Sequence, residues 1–242
     1  MGDGAARDPT SLTWDGSSFA FSWAEPKDLV PEIYVGMIDA AGGVSWDASR
    51  VTETVQTGRW RTPGRTAVES KDPRVLALRE VLLLAWRTRT WPEAHPLYFA
   101  TVRGLEVSPP VPVSQETDVV LDHLLVPWAG GAAIAYLGRF DKTKRQVRLA
   151  RLGLSPAAIL DDWLVSEPAA LPDAFELAAV PADDDLIILW RGKTEFNSTS
   201  NILYARIPPQ GLSGPVADTN LVERALASNP SVNQPRRSFA VA

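Results

Sequence analysis

One phrase returns five times along this chain: an apolar stretch, a polar turn, then a short hydrophobic run that in the first four copies closes on an aromatic residue. The copies are PTSLTWDGSSFAFSW (residues 9–23), DPRVLALREVLLLAW (72–86), DHLLVPWAGGAAIAY (122–136), LAAVPADDDLIILW (177–190) and NPSVNQPRRSFAVA (229–242). Trp23, Trp86, Tyr136 and Trp190 stand 63, 50 and 54 residues apart, a period in the range of propeller blades and similar β arrays. The unit of function is then a blade, and a binding site recurs in each blade or lies where blades meet.

Each copy reads as three or more strands. The apolar stretch is strand A and the run ending in the aromatic is strand B. Strand C is the run that follows a polar connection, at residues 32–37, 97–102, 147–152 and 202–207, and strand D is the weaker segment before the next copy. Asp15-Gly16-Ser17 and Ala182-Asp183-Asp184-Asp185 are compositions of tight hairpin turns between A and B. Strand B is apolar at successive positions in Leu82-Leu83-Leu84-Ala85-Trp86 and in Leu186-Ile187-Ile188-Leu189-Trp190, so both of its faces need cover. A propeller supplies that cover, because each blade is packed between two others.

In isolation residues 73–87 suit a helix, but their alignment with the other B runs overrides the propensity. Residues 156–164 and 220–227 have plausible helix starts and could instead be strands D. The expectation is an all-β propeller of about five blades, the last incomplete, in a single domain over residues 1–242. Its repeats run over 9–62, 63–116, 117–167, 168–228 and a partial 229–242. In the fifth copy Ser238-Phe239-Ala240-Val241-Ala242 matches Ser18-Phe19-Ala20-Phe21-Ser22; either a five-bladed ring closes around a thin last blade, or the hairpin leaves a sheet edge open to self-association or to a partner subunit, the reading favoured because such edges are usually protected.

Composition narrows the function classes. Twenty prolines, sixteen glycines and nine tryptophans suit short strands and tight turns. With no cysteine there is no disulfide framework, thiolate nucleophile or cysteine metal site. The first residues lack an apolar signal core, and no run approaches the length of a membrane span, so the expectation is a soluble, cytoplasmic protein without a membrane partner. A net charge of −5 and the absence of a dense Lys/Arg run exclude nucleic acid as an expected partner. No cofactor is expected, and no metal: the carboxylates at Asp161-Asp162 and Asp183-Asp184-Asp185 lack the spacing of a calcium loop and read as turn residues.

The pattern of a proline-led A strand, a B strand ending in Trp and a Tyr-containing C strand resembles the blades of bacterial sialidase-like and lectin-like β-propellers. Asp39-Ala40-Ala41-Gly42-Gly43-Val44-Ser45-Trp46 carries the acid, glycine and aromatic of the Asp-box turn of sialidases, with one residue more. The resemblance implies a propeller that handles carbohydrate, with convergent arginines to hold a carboxylate; Arg87, Arg139, Arg191 and Arg206 supply that residue type.

Arginine follows the aromatic at Trp86-Arg87, Tyr136-Leu137-Gly138-Arg139 and Trp190-Arg191. A ring that stacks on a sugar face beside a guanidinium fork that donates to oxygens is a lectin's chemistry. Equally, the ring fills the wedge between blades and the arginine pairs with a neighbouring carboxylate. Loops between B and C add Glu25, Trp91, Glu195 and Phe196, with Glu93 and Asp28, on the part of a scaffold where recognition concentrates. His95 and His123 have no serine-hydrolase context. The main expectation is a lectin-like module binding a carbohydrate or small polar ligand through Trp91, Arg87, Arg139, Arg191, Phe196, Glu195 and Glu25. The alternatives are a propeller enzyme, either a glycosidase-like hydrolase using loop carboxylates and arginines or a small-molecule biosynthetic enzyme, and an interaction scaffold completed at the partial blade.

Overall fold

The apolar B strands become the second strands of four antiparallel sheets. The computed structural model describes residues 11–27, 30–52, 67–90, 94–104, 106–140, 145–166, 173–193, 200–213 and 219–220. Blade 1 is β1 (Ser11–Trp14), β2 (Ser18–Lys27), β3 (Val30–Asp39) and β4 (Val44–Arg50). Blade 2 is β5 (Ala67–Leu78), β6 (Val81–Thr90), β7 (Leu97–Arg103) and the short β8 (Glu106–Val107) and β9 (Val111–Pro112), both paired with β7. Blade 3 is β10 (Val119–Trp128), β11 (Gly131–Arg139), β12 (Arg145–Leu154) and β13 (Ala157–Leu164). Blade 4 is β14 (Asp173–Ala182), β15 (Asp185–Lys193), β16 (Ser200–Ile207) and β17 (Thr219–Asn220). Strands pair in chain order within each sheet, and no helix occurs among the described residues. The protein is an all-β propeller; the fifth, partial repeat lies outside the described residues.

Alternation along strand B explains the continuous apolar runs. Leu82, Leu84 and Trp86 of β6 join Ala20, Ala24 and Ile33 of blade 1, while Leu83 and Ala85 join Ile134 and Tyr136 of blade 3. Ala133, Ala135 and Leu137 of β11 in turn meet Leu186, Ile188 and Trp190 of blade 4. Ala20 and Ala24 of blade 1 thus receive Leu82, Leu84 and Trp86, and Ala133 and Ala135 of blade 3 receive Leu186, Ile188 and Trp190, while at the middle interface Leu83 and Ala85 meet Ala132, Ile134 and Tyr136. Three of the aromatic ends of strand B are wedges, Trp86, Tyr136 and Trp190, each at most 2% exposed, while Trp23 of blade 1 is half-buried. Trp23 and Trp86 also stack on their cross-strand partners Tyr34 and Tyr98, with centroids 5.6 and 6.3 Å apart.

The hairpins between A and B turn on left-handed residues: Arg79, Ala129 with Gly130, and Asp183 in two-residue turns, and Gly16 in the longer Asp15-Gly16-Ser17 turn of blade 1. The segment at 156–164, open between helix and strand D, is strand β13. Its Asp161 and Asp162 face Arg151 and Arg148 across the sheet, so they are strand residues and not the turn residues the sequence suggested. Asp183 and Asp184 do form a turn. Asp39, the acid of the Asp-box-like segment, caps its own hairpin: Oδ1 accepts from the backbone N–H of Ala41 and Gly43 at 2.9 and 2.8 Å.

A hydroxyl latch closes three blades in the same way. After strand D comes a valine followed by Thr or Ser, at Val51-Thr52, Val113-Ser114 and Val165-Ser166. The valine N–H donates to the carbonyl of the first residues of strand C, Ile33, Leu97 and Val147, at 2.7, 2.8 and 2.9 Å. The hydroxyl accepts the N–H of that same residue at 2.9, 3.0 and 3.0 Å. Ser166 and Val147 are both buried, so Ser166→Ala strands an N–H without water. A loss of about 1–3 kcal/mol in urea unfolding is expected, with the slope unchanged.

Candidate active site

Strands β1, β5, β10 and β14 are the free edges of their sheets and pack on one another in that order, which makes them the innermost strands. Side chains tie the first two together: the N–H groups of Val75 and Ala77 donate to Ser11 Oγ and Thr13 Oγ1 at 3.1 and 3.4 Å. In an antiparallel blade the start of A, the end of B and the start of C lie at one end. That end therefore gathers the B to C connections and the first residues of the inner strands.

There the inner strands share an irregularity. Register shifts between Lys71 and Arg74, between Val120 and Asp122, and between Phe175 and Leu177. In each case the residue fourteen positions before the aromatic wedge is an acid, Asp72, Asp122 or Glu176. Asp72 and Glu176 adopt left-handed backbones, with φ of 52° and 50°. The other non-glycine residues with positive φ sit in A to B turns that need it; these two do not. Such strain costs roughly 1–2 kcal/mol per residue and clusters where a site is held in a fixed geometry.

Arginines meet these acids. Arg87 pairs with Asp72 through Nη2, and its Nη1 donates to the carbonyls of Val120 and Leu121 at 2.9 and 2.7 Å, which binds blade 2 to blade 3. Arg191 pairs with Glu176 at 3.1 Å, with both groups largely in solvent. Leu137 stands where blade 3 would place the matching arginine, and Arg74 of blade 2 approaches Asp122 instead, at 3.9 Å. Arg139 is exposed and stands in register between Val119 and Arg145. Glu25, half-buried, accepts from the Trp23 indole N–H at 2.9 Å. Arg206 pairs with Asp185 beside an A to B turn, at the opposite end, so it does not converge with the other arginines. Trp91, Glu195, Phe196, Glu93 and Asp28 lie outside the described residues. The sequence reading passed over Asp72, Asp122 and Glu176, although the fixed offset of fourteen residues from the aromatic marks all three.

Two histidines flank this end. His123 is buried, its Nε2 3.4 Å from the Ala85 carbonyl of blade 2. Burial, then the guanidinium groups of Arg87 and Arg74, push its pKa down to about 3, against the raising influence of the Ala85 carbonyl and Asp72. The His95 backbone bridges to Asp118 and Val120, and its imidazole is also shifted down by burial and by Lys71, Arg87 and Arg89. Asp118, buried beside it, is shifted up by its burial, and its carboxylate accepts the Gln115 N–H at 2.7 Å. Among the described residues no group of three or more His, Asp or Glu side chains is arranged to hold a metal ion.

Two measurements check this arrangement. Arg87→Met leaves Asp72 and two carbonyls without their donor and is expected to cost roughly 2–4 kcal/mol, whereas Arg191→Ala, an exposed pair, changes stability by less than about 1 kcal/mol. The native state keeps His123 neutral while an unfolded histidine binds a proton near pH 6.5, so the unfolded chain holds more protons between about pH 6.5 and 3 and stability falls as pH falls through that window. In His123→Gln, urea unfolding across that range is expected to show a shallower acid limb.

No family model matches this chain, and no curated protein does. Solved structures do. An endo-arabinase from Bacteroides thetaiotaomicron is 13% identical with a TM-score of 0.52, covering 87% of this chain and 78% of its own. A GH43 endo-arabinanase from Bacillus licheniformis is 13% identical with a TM-score of 0.50, covering 88% and 78%. A thermostable family-43 glycoside hydrolase is 10% identical at a TM-score of 0.50, covering 88% and 72%. These likenesses carry the β-propeller fold, and nothing in them is specific to a sialidase-like repeat.

Proposed function

We propose that this propeller hydrolyses glycosidic bonds at the end of its axis where β5, β10 and β14 begin. The observation that carries the reading is the recurrence of an acid at a register shift of three consecutive inner strands: Asp72 and Glu176 stand within the shift on a strained left-handed backbone, and Asp122 directly follows it. Glycoside hydrolysis needs two carboxyl groups flanking one bond, one to protonate the leaving oxygen and one to activate water or attack the sugar. Glu176 and Asp122 stand on adjacent inner strands and serve as that pair. Asp72 is engaged by Arg87, whose other nitrogen holds the carbonyls of Val120 and Leu121 next to Asp122. The arabinan-degrading activity in the names of the similar structures makes arabinan the first substrate to try.

A lectin reading loses its main support, because the rings next to Arg87 and Arg191 are wedged between blades and offer no face to a sugar. On arabinan and a panel of aryl glycosides, Asp122→Asn and Glu176→Gln are each expected to lower kcat by about 10²–10⁴-fold with unfolding unchanged. Equal turnover in the variants, or none in the parent chain, overturns the assignment; glycan binding without turnover returns the protein to the lectin class.

A further inference from the structure

At the end of the propeller where strands A turn into strands B, a cleft opens between blades 2 and 3. Its volume is about 600 Å³, within the range of small-molecule sites. Its walls are apolar: Leu78 and Val81 come from blade 2, Pro127 and Leu154 from blade 3. Two arginines border it. Arg79 stands in the A to B turn of blade 2, and Arg103 stands at the end of β7, where its Nη2 donates to the Leu154 carbonyl at 3.4 Å. That bond holds the guanidinium across the blade interface and uses one of its five N–H donors. Glu80 is the one acid in the lining, so two positive charges meet one negative.

Turn geometry explains neither arginine. A two-residue hairpin turn favours Asn, Asp or Gly at its left-handed positions, yet Arg79 takes a φ of 52° there. Blades 3 and 4 have Ala129-Gly130 and Asp183-Asp184 in the same turn, and blade 1 has Asp15-Gly16-Ser17. One residue beyond the cross-strand pairs of Leu82 with Val102, Phe19 with Ile38, Ala132 with Leu152 and Leu186 with Ile207, blade 2 carries Arg103 where the others carry Asp39, Gly153 and Pro208. The basic pair is thus peculiar to blade 2 among the described blades, in a chain of net charge −5.

We propose that this cleft binds a small organic carboxylate, one carboxylate group on an apolar body. The planar guanidinium fork matches a carboxylate, the walls match the apolar body, and a single net positive charge suits a monoanion over a phosphate dianion. The left-handed arginine is then a stability cost retained for binding. The inference is independent of the hydrolytic reading, because the cleft lies at the end of the blades away from Asp122 and Glu176.

Benzoate is the probe, with benzamide as its uncharged analogue and phenyl phosphate as the dianion, each titrated onto the full chain and followed by saturation-transfer NMR. Saturable benzoate binding with a Kd of about 0.1–2 mM is expected, with the other two probes weaker by roughly tenfold or more. Arg79→Gly is expected to weaken benzoate roughly tenfold while raising Tm by about 2–4 °C, because glycine accepts the left-handed turn. Arg206→Gln removes the same charge beside the A to B turn of blade 4 and is expected to leave benzoate binding unchanged. Absence of saturation, equal binding of benzamide, tighter binding of phenyl phosphate, or equal effects of Arg79→Gly and Arg206→Gln each overturn the proposal. Weaker binding accompanied by a lowered Tm in Arg79→Gly reports a damaged turn and overturns it as well.

Discussion

Complementarity of size between successive sheets is the constraint on which the rest of this fold depends. A strand buried on one face only needs to alternate; a strand buried on both must match two neighbours at once. Strand B meets that demand by giving alternate residues to its two neighbours: Leu82, Leu84 and Trp86 go to the preceding blade, Leu83 and Ala85 to the following one. With roughly 25 cal/mol gained per Å² of apolar surface, and with close packing required to keep it, this pairing fixes the order and spacing of the blades. Among the described residues polar ties add to this fit: Ser11 and Thr13 accept from β5, Arg87 holds the carbonyls of β10, His123 approaches that of Ala85, and Arg103 reaches the Leu154 carbonyl.

Much of this was legible in the sequence. Apolar runs without alternation require two covered faces, and their common aromatic ending sets the register of the repeat, so strands A, B and C followed directly. Residues 73–87 look helical by propensity, yet they are the hairpin β5–β6, because the neighbouring blades supply the burial that a helix would otherwise have to find. Strand D was fainter. In β13 the two aspartates look like turn residues until their cross-strand arginines are in place, and those partners are ten and fourteen residues away.

The inner acids were hidden for a different reason. A bulge breaks the period of two, so Asp72 and Glu176 fall out of the alternation, and Asp122 follows the residue, Leu121, that does. Attention went to loops and to arginines next to aromatics. Of those, Arg87 proved to be a bolt between blades and Arg191 a partner of one of the acids.

The bulge has a consequence for how such a protein changes over time. Because the extra residue absorbs the phase, whatever side chain stands there is released from the two-sided fit that governs its neighbours. At Glu176, whose arginine partner lies largely in solvent, a substitution can therefore alter the inner rim without disturbing the interlock of the blades, whereas Asp72 is tied to that interlock through Arg87. One strand keeps architecture and reactivity as separate inheritances.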